Sequence, residues 1–307
     1  MGRYLARRAL LSIPVLLGVS LFVFLMIYLL PGDPVTIMTF GANPTPKQVE
    51  AIREQMGLND PLHIQYLKFI SKAVRGDFGR SIRSNHLVID DIKRNLPPTL
   101  LLTAAAMGVA ITTGFLLGIV AALHRNTWVD NVSMTLALLG VSMPAFWLGI
   151  LLIYFFAVQL GWFPVTGSQG VNRLVLPAVA LGWGYAAIIA RLIRANLIDA
   201  MGQEFILTAR AKGLPNRLVI VRHALKNALI PVVTIIGLQF GNMLAGAVVI
   251  EVLFARQGIG RLLVDAILQR DFPLVQTIVL FIAVFYVVSN LLVDVSYAFF
   301  DPRIRYE

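Results

Sequence analysis

What most constrains this chain is where its charges are missing. Six stretches carry no Asp, Glu, Lys or Arg: Ala9 to Leu30, Pro98 to Leu123, Asn131 to Asn172, Leu174 to Ala190, Asn227 to Ile250 and Phe272 to Val293. A Lys, Arg or Asp held at mid-bilayer costs at least about 2.5 kcal/mol, and about 20 apolar residues cross a hydrocarbon core of roughly 30 Å as a helix. The composition agrees, at 58% hydrophobic and 14% charged with mean hydropathy +0.78, where a soluble domain is about a quarter charged. The expectation is an all-α integral membrane protein with six transmembrane helices. The third stretch outlasts one crossing and is read as a single helix from about Val132 to Gln159, then an external loop from Gly161 to Arg173. An even count puts both termini on one side.

Lys and Arg in the short loops choose that side, because positive charge stays cytoplasmic. With the termini inside, the cytoplasmic face holds Arg3, Arg7, Arg8, Arg125, Arg191, Arg194, Arg210, Lys212, Arg217, Arg222, Lys226, Arg303 and Arg305. The short loops opposite hold only Arg173, Arg256, Arg261 and Arg270. The 67-residue loop from Pro31 to Pro97 is too long for its charge to decide topology. The net charge of +10 follows the span ends, which fits a lipid bilayer surface and not a nucleic-acid footprint. The first span, with no small-x-small cleavage site before Pro31-Gly32-Asp33-Pro34, reads as an uncleaved anchor. Zero cysteines exclude disulfides and thiolate metal sites.

The long external loop carries helical signals. Thr45-Pro46 offers a cap and a first-turn proline, Val49, Ile52 and Met56 recur at helical spacing, and Gly57 stops the helix. A second helix starts at Asp60-Pro61, with Leu62, Tyr66, Phe69, Ile70 and Val74 on one face and Gly76 at its end; a third short one is expected from about Leu87 to Asn95, before Pro97 and Pro98. These pieces either dock an extracytoplasmic partner or pack over the span ends. Gly258-Ile259-Gly260 is taken as turn chemistry, since no strand precedes it. The domain reading is an anchor span over 1–30, an external region over 31–97, a five-helix core over 98–298 containing a cytoplasmic loop at 196–227, and a cytoplasmic tail over 299–307.

Three membrane classes compete. A self-contained ion-coupled carrier needs ionisable or broken-helix sites near mid-membrane, and the span centres carry no ionisable residue; Glu251 and Asp294 sit near span ends, where interfacial anchoring accounts for them. A membrane hydrolase needs a nucleophile and base within reach, or a metal cluster, yet His63, His86, His124 and His223 are scattered and no His-Glu-x-x-His occurs. The third class is a permease driven by another chain's ATPase. No Gly-Lys dipeptide exists to end a P-loop, so this chain binds no ATP by that route.

The stretch Gln203 to Gly213 suits a soluble engine. Glu204 lies at the positive end of a predicted helix and Arg210 and Lys212 at the negative end; Gly213 supplies a left-handed stop. Phe205, Thr208, Ala209 and Lys212 share one face at i, i+3, i+4 and i+7, an aromatic knob beside a small patch that a partner can grip. The competing account is an interfacial helix that only connects spans.

The residues also resemble a known family. Leu5-Ala6-Arg7-Arg8 through Pro31-Gly32-Asp33-Pro34, Gly57-Leu58-Asn59-Asp60-Pro61-Leu62, Gly76-Asp77-Phe78-Gly79-Arg80-Ser81, Thr208-Ala209-Arg210-Ala211-Lys212-Gly213-Leu214 and Asp301-Pro302-Arg303-Ile304-Arg305 occur in the order found in the binding-protein-dependent ABC importer permeases of the dipeptide, oligopeptide, glutathione and nickel branch, specifically the first of the two permease subunits. The resemblance implies a type I ABC importer permease fold and a non-catalytic subunit. Its implied partners are a similar second permease, two cytoplasmic ATPases that bind ATP and magnesium, and an extracytoplasmic binding protein. It also implies that Glu204, Phe205, Thr208, Ala209, Arg210, Ala211, Lys212 and Gly213 form the coupling helix. Against the superfamily's Glu-Ala-Ala-x-x-x-Gly, only Ala209 and Gly213 are kept, so docking by shape is expected in place of an ion pair at Leu207. In the fifth span Gly237, Gly241 and Ala245 recur every four residues and permit close helix approach, either to the partner permease or within the chain. Gln239, Asn242, Ser289 and Asn290 are candidates for the translocation path or for polar interhelical contacts.

Overall fold

The computed structural model describes residues 2–29, 35, 45–55, 58–168 and 170–300. The Pro31–Pro34 motif, Met56, Gly57 and the Asp301–Arg305 motif lie outside the described residues. Helices account for the architecture: α1 (Gly2–Leu29), α2 (Pro46–Gln55), α3 (Leu62–Val74), α4 (Val88–Leu123), α5 (Trp128–Ser142), α6 (Ala145–Leu152), α7 (Asn172–Met201), α8 (Glu204–Ala211), α9 (Leu225–Leu253), α10 (Ile259–Leu268) and α11 (Phe272–Phe300). A π-helical stretch, Ile153–Gln159, continues α6, and another, Val219–Ala224, leads into α9. Five helices are long and apolar enough to cross a membrane.

The sixth expected span is not a straight helix. α5 and the α6 segment meet at a 107° bend between Ser142 and Ala145. Proline explains the site of the break: Pro144 has no N–H for the carbonyl of Gly140, and its ring disfavours a helical residue before it, so Met143 turns extended (φ −100°, ψ 128°). The separate external helix expected over Leu87–Asn95 is also corrected, because α4 runs unbroken through Pro97 and Pro98. Those prolines lie close to the charged end of α4, Asp90 to Arg94, where water reaches the carbonyls they release.

The core is a tight pairing of α4 with α7. Small residues let the two backbones close up: a Cβ on Gly114 would lie 2.8 Å from Ile189, and one on Gly118 would lie 2.6 Å from the Ala190 carbonyl. Leu102, Ala106 and Ala110 of α4 and Ile189 and Ile193 of α7 are almost wholly buried there, joined by Met243, Ala247 and Ile250 of α9. α5 lies along α7 through Ala137, Ala187 and Ala190. α11 packs on α9 and on α1, with Gln276 Nε2 donating to the Val23 carbonyl at 3.0 Å.

The two ends of the bundle differ. At one end α10 and the first turns of α4 close over α11 through Val88, Ile92, Ile259, Ala266, Leu274 and Ile278, with Phe78, from the segment before α4, set edge-on to Phe281 at 5.2 Å. Asp271 clips this cover down: it accepts from the Ser81 hydroxyl and from the backbone N–H of Ile82 at 3.3 Å. The segment around 78–92 thus packs over span ends. α3 leans on α1, where the Tyr66 hydroxyl meets Ser20 Oγ at 2.9 Å. At the other end lies α8.

Candidate functional site

α8 is rooted in the bundle by two residues of one face. Ile206 is fully buried and Ala209 is 5% exposed; both pack with Ala122 from the end of α4, Leu197 and Ala200 from α7, and Val219, Ala224 and Ala228 leading into and along α9. A short eight-residue helix is marginal alone, so this anchorage, about 1.5–3 kcal/mol for a fully buried Ile, holds it in place. The expected face is thereby corrected. Ala209 points inward beside Ile206 and is no part of an outward patch with Phe205, Thr208 and Lys212, because the apolar pocket between three span ends takes the i, i+3 pair Ile206 and Ala209 in preference.

What α8 presents outward is Glu204, Phe205, Leu207, Thr208, Arg210, Ala211 and Lys212, all exposed; Phe205 is 39% and Leu207 62% exposed. Thr208 bonds its hydroxyl back to the Glu204 carbonyl at 3.2 Å. The stop is a Schellman turn: Leu214 N–H donates to Ala209 O at 3.4 Å and Gly213 N–H to Arg210 O at 2.9 Å. Gly213 adopts φ +75°, the left-handed conformation its sequence position called for. Leu214 folds back onto the same buried cluster. The result is a rigid knob of apolar and basic groups fixed to the ends of the spans.

Beside it sits an ion pair, Asp130 with Arg194, of which the sequence analysis counted only Arg194, among the basic residues of the cytoplasmic face. Arg194 of α7 donates Nε and a terminal nitrogen to both oxygens of Asp130 on α5, at 2.6 and 2.7 Å, and Asn126 N–H donates to the same carboxylate at 3.0 Å. The Asp130 side chain is 3% exposed. This planar two-point clip ties α5 to α7 one turn from Leu197, which touches α8. Residues 64 apart in sequence give no periodic signal; the one available clue was a lone Asp at the head of a charge-free stretch.

Glu251 is also corrected. It is fully buried and does not anchor at an interface: Oε1 accepts from Thr99 Oγ1 at 2.6 Å, and Oε2 accepts from the N–H groups of Gly260 and Arg261 at 2.8 and 3.2 Å. The carboxylate receives the first N–H groups of α10, whose N-cap is Gly258, and ties that helix to α4 and α9. Gly258 and Gly260 do more than turn the chain, because a side chain on either would collide with Glu251 or Val248. Arg256 is 1% exposed nearby; burial pulls its pKa down, against the attraction of Glu251.

The small-residue stripe of α9 is divided. Gly241 is buried against α11 of the same chain, where a Cβ would lie 3.1 Å from Tyr286 and 3.9 Å from the Asn290 amide oxygen. Gly237 is half-buried and Ala245 exposed. Gln239 and Ser289 are buried, Asn290 half-buried and Asn242 exposed. An exposed stripe runs along α9 through Leu238, Asn242, Ala245, Val249 and Val252. No cluster of three metal-ligating side chains occurs among the described residues.

An all-helical bundle of membrane-spanning helices, with a short helix rooted in it and exposed at one end, has the form of a membrane-spanning transport subunit. Comparison with known proteins narrows this. Residues 114–306 match the family described as binding-protein-dependent transport system inner membrane component, and residues 1–103 match its N-terminal region. The chain belongs to that family. It is 44% identical to the glutathione transport system permease protein GsiC of Escherichia coli K12 over 307 residues, all of both chains, and equally to that of Shigella flexneri serotype 5b. Among solved structures it resembles an amino acid ABC transporter (TM-score 0.53, 19% identity, 70% of this chain and 94% of that one). It also resembles the inward-facing MetNI methionine ABC transporter (TM-score 0.58, 18% identity, 68% and 96%). The fold is therefore that of a type I importer permease, and the chain is a multi-pass inner-membrane protein. As a permease subunit it is not an enzyme and carries no cofactor; nucleotide is bound by a separate ATPase, and solute arrives on a binding protein.

Proposed function

We propose that this chain is one of two paired permeases of an importer for peptides or peptide-like solutes such as glutathione, gripped at α8 by one of two cytoplasmic ATPases. The observation that carries this is the rooting of α8: Ile206 and Ala209 join the ends of α4, α7 and α9, so a pull on Phe205 and Leu207 is delivered to three spans together. On this reading the α8 end and both termini are cytoplasmic, which the basic residues Arg191, Arg210, Lys212, Arg217, Arg222 and Lys226 support. The α10 end faces the binding protein.

The second permease packs on the exposed stripe of α9, with Ala245 as the small contact and Gly237 at its inner end, while Gly241 serves the chain's own α11. Asn242 on that stripe lines the path; Gln239, Ser289 and Asn290 support it from behind as interhelical polar contacts. Closure of the ATPase pair draws the α8 helices together and favours the outward-open arrangement, and hydrolysis releases it, a population shift set by differential binding. The glutathione relatives support a solute that carries amide bonds. The test is reconstitution of the chain with its neighbouring permease, ATPases and binding protein: ATP-dependent uptake of peptide or glutathione is expected, and ATP-independent uptake by the chain alone defeats the reading.

A further inference from the structure

The contacts of α3 with α1 fix its depth in the membrane. Phe272, the first residue of α11 after Asp271, packs with Ile27 and Tyr28 of α1, so the edge of the hydrocarbon layer at the α10 end lies near Ile27. From there toward the bilayer centre Ser20 is about 10 Å deep and Leu17 about 15 Å, at 1.5 Å per residue. The Tyr66 hydroxyl meets Ser20 Oγ at 2.9 Å and donates to the Leu17 carbonyl at 3.3 Å. The rings of Tyr66 and Phe69 stand 5.5 and 6.0 Å from that of Phe24. One position back on the helix, Gln65 reaches the other way, accepting from the Tyr28 hydroxyl and donating to the carbonyls of Leu58 and Asp60. The Tyr66 side of α3 therefore faces the bilayer centre, and the Gln65 side faces the water.

The remaining side chains sort onto these two sides at about 100° per residue. Ile70 and Val74 follow Tyr66 at i+4 and i+8, with Leu67 beside them and His63 at the head of the row; Lys68, Lys72 and Arg75 follow Gln65 at i+3, i+7 and i+10. Leu67 and Val74 are 64% and 83% exposed. Lys68 pairs with Asp60, whereas Lys72 and Arg75 are exposed and make no ion pair among the described residues. Apolar groups at hydrocarbon depth beneath a row of cations at its edge are the pattern of a helix that lies in a bilayer interface. What covers that apolar row follows from its place in the bundle. α11 packs between α1 and α9, which sets α3 apart from the α9 stripe given to the second permease, and at the same depth α1 itself exposes Leu21 and Phe22. The apolar surface of α3 continues the lipid-facing surface of a span.

We propose that α3 lies in the leaflet at the α10 end, with Leu67, Ile70 and Val74 among acyl chains and Lys72 and Arg75 on the phosphates of anionic phospholipid. This goes beyond the proposed function and is independent of the cargo. Cations at that level draw anionic headgroups to the helix over about a Debye length.

The chain has no cysteine, so Leu67→Cys accepts one bimane fluorophore before the chain is assembled with its second permease, ATPases and binding protein in proteoliposomes. Phosphatidylcholine brominated on its acyl chains is expected to quench it and aqueous iodide is not; Val74→Cys repeats the measurement at a second exposed site. Quenching by iodide alone places the helix in water and overturns the proposal. So does bromolipid quenching that is absent from the complete importer or disappears when the binding protein is added, since a protein then covers this face. Brominated phosphatidylglycerol at the same mole fraction is expected to quench about twofold more than the phosphatidylcholine, and Lys72→Gln with Arg75→Gln should bring that ratio to one. Equal quenching by the two lipids before the double substitution, or a preference that survives it, overturns the headgroup assignment.

Discussion

At the scale of single residues, neighbours on α8 have opposite duties. Ala209 is 5% exposed within an apolar cluster and Leu207 is 62% exposed two residues away. Ala209→Glu places an unpaired charge among Leu197, Val219 and Ala224, which costs about 3 kcal/mol or more; a clear fall in the thermal midpoint of the purified chain is expected before any partner is added. Leu207→Ala removes nothing internal, so stability should stay within about 0.5 kcal/mol while affinity for the ATPase drops about tenfold, read by titration of the purified partner. Equal thermal losses in both variants would contradict the assigned orientation. The Asp130 clip follows similar logic. Arg194→Met strands a buried carboxylate and is expected to destabilise by about 3 kcal/mol, whereas Asp130→Leu combined with Arg194→Met should recover most of the loss, because replacing both partners removes the orphaned charge; thermal unfolding of the two variants decides it.

At the scale of elements, proline has two outcomes among the described helices, and its setting decides which. Pro97 and Pro98 ride inside α4 close to its charged end, Pro177 and Pro231 inside α7 and α9, and Pro144 ends α5 in a 107° bend. Charge-free stretches located the spans because hydrocarbon excludes charge whatever the helix does, so that part of the fold was open to reading. Neither the bend nor the continuity of α4 was, since whether a proline interrupts a helix depends on what receives the carbonyls it frees. The site behaved likewise. Length, polarity and the Gly213 stop of α8 were legible from local chemistry, but with Phe205, Ile206 and Leu207 consecutive, the inward face was settled only by the pocket between three span ends. Gly213 itself allows a graded test. Its φ of +75° costs an L-residue about 1–2 kcal/mol, and an added Cβ meets nothing within 4 Å, so Gly213→Ala should retain most substrate-stimulated ATPase activity. Gly213→Pro cannot adopt that φ and lacks the N–H that bonds Arg210 O; stimulated activity should vanish while membrane insertion persists. Full activity in the proline variant would remove α8 from the coupling route.

At the scale of the whole molecule, the buried charges sit at the ends and act as fasteners. Asp130 with Arg194 binds α5 to α7 at the α8 end, while Glu251 and Asp271 hold α10 and the cover around 78–92 at the other. Between them the bundle is held by small-residue contacts such as Gly114 with Ile189, and no described carboxylate, histidine, lysine or arginine stands at mid-depth to take up a proton or an ion. Such a body can tilt as a unit when one end is pulled, and among the described residues no acidic or basic side chain at mid-depth stands ready to couple an ion gradient to that motion. Under an imposed proton or sodium gradient, proteoliposomes containing this chain alone should therefore accumulate no dipeptide or glutathione above the equilibrium level. Adding the second permease, the ATPases and the binding protein should bring accumulation that requires ATP inside the ATPase compartment and persists when an ionophore dissipates the gradient. Accumulation that the ionophore abolishes would place the energy source in the ions, and would mean that a coupling site exists among the uncharged polar side chains and the bent backbone of this bundle.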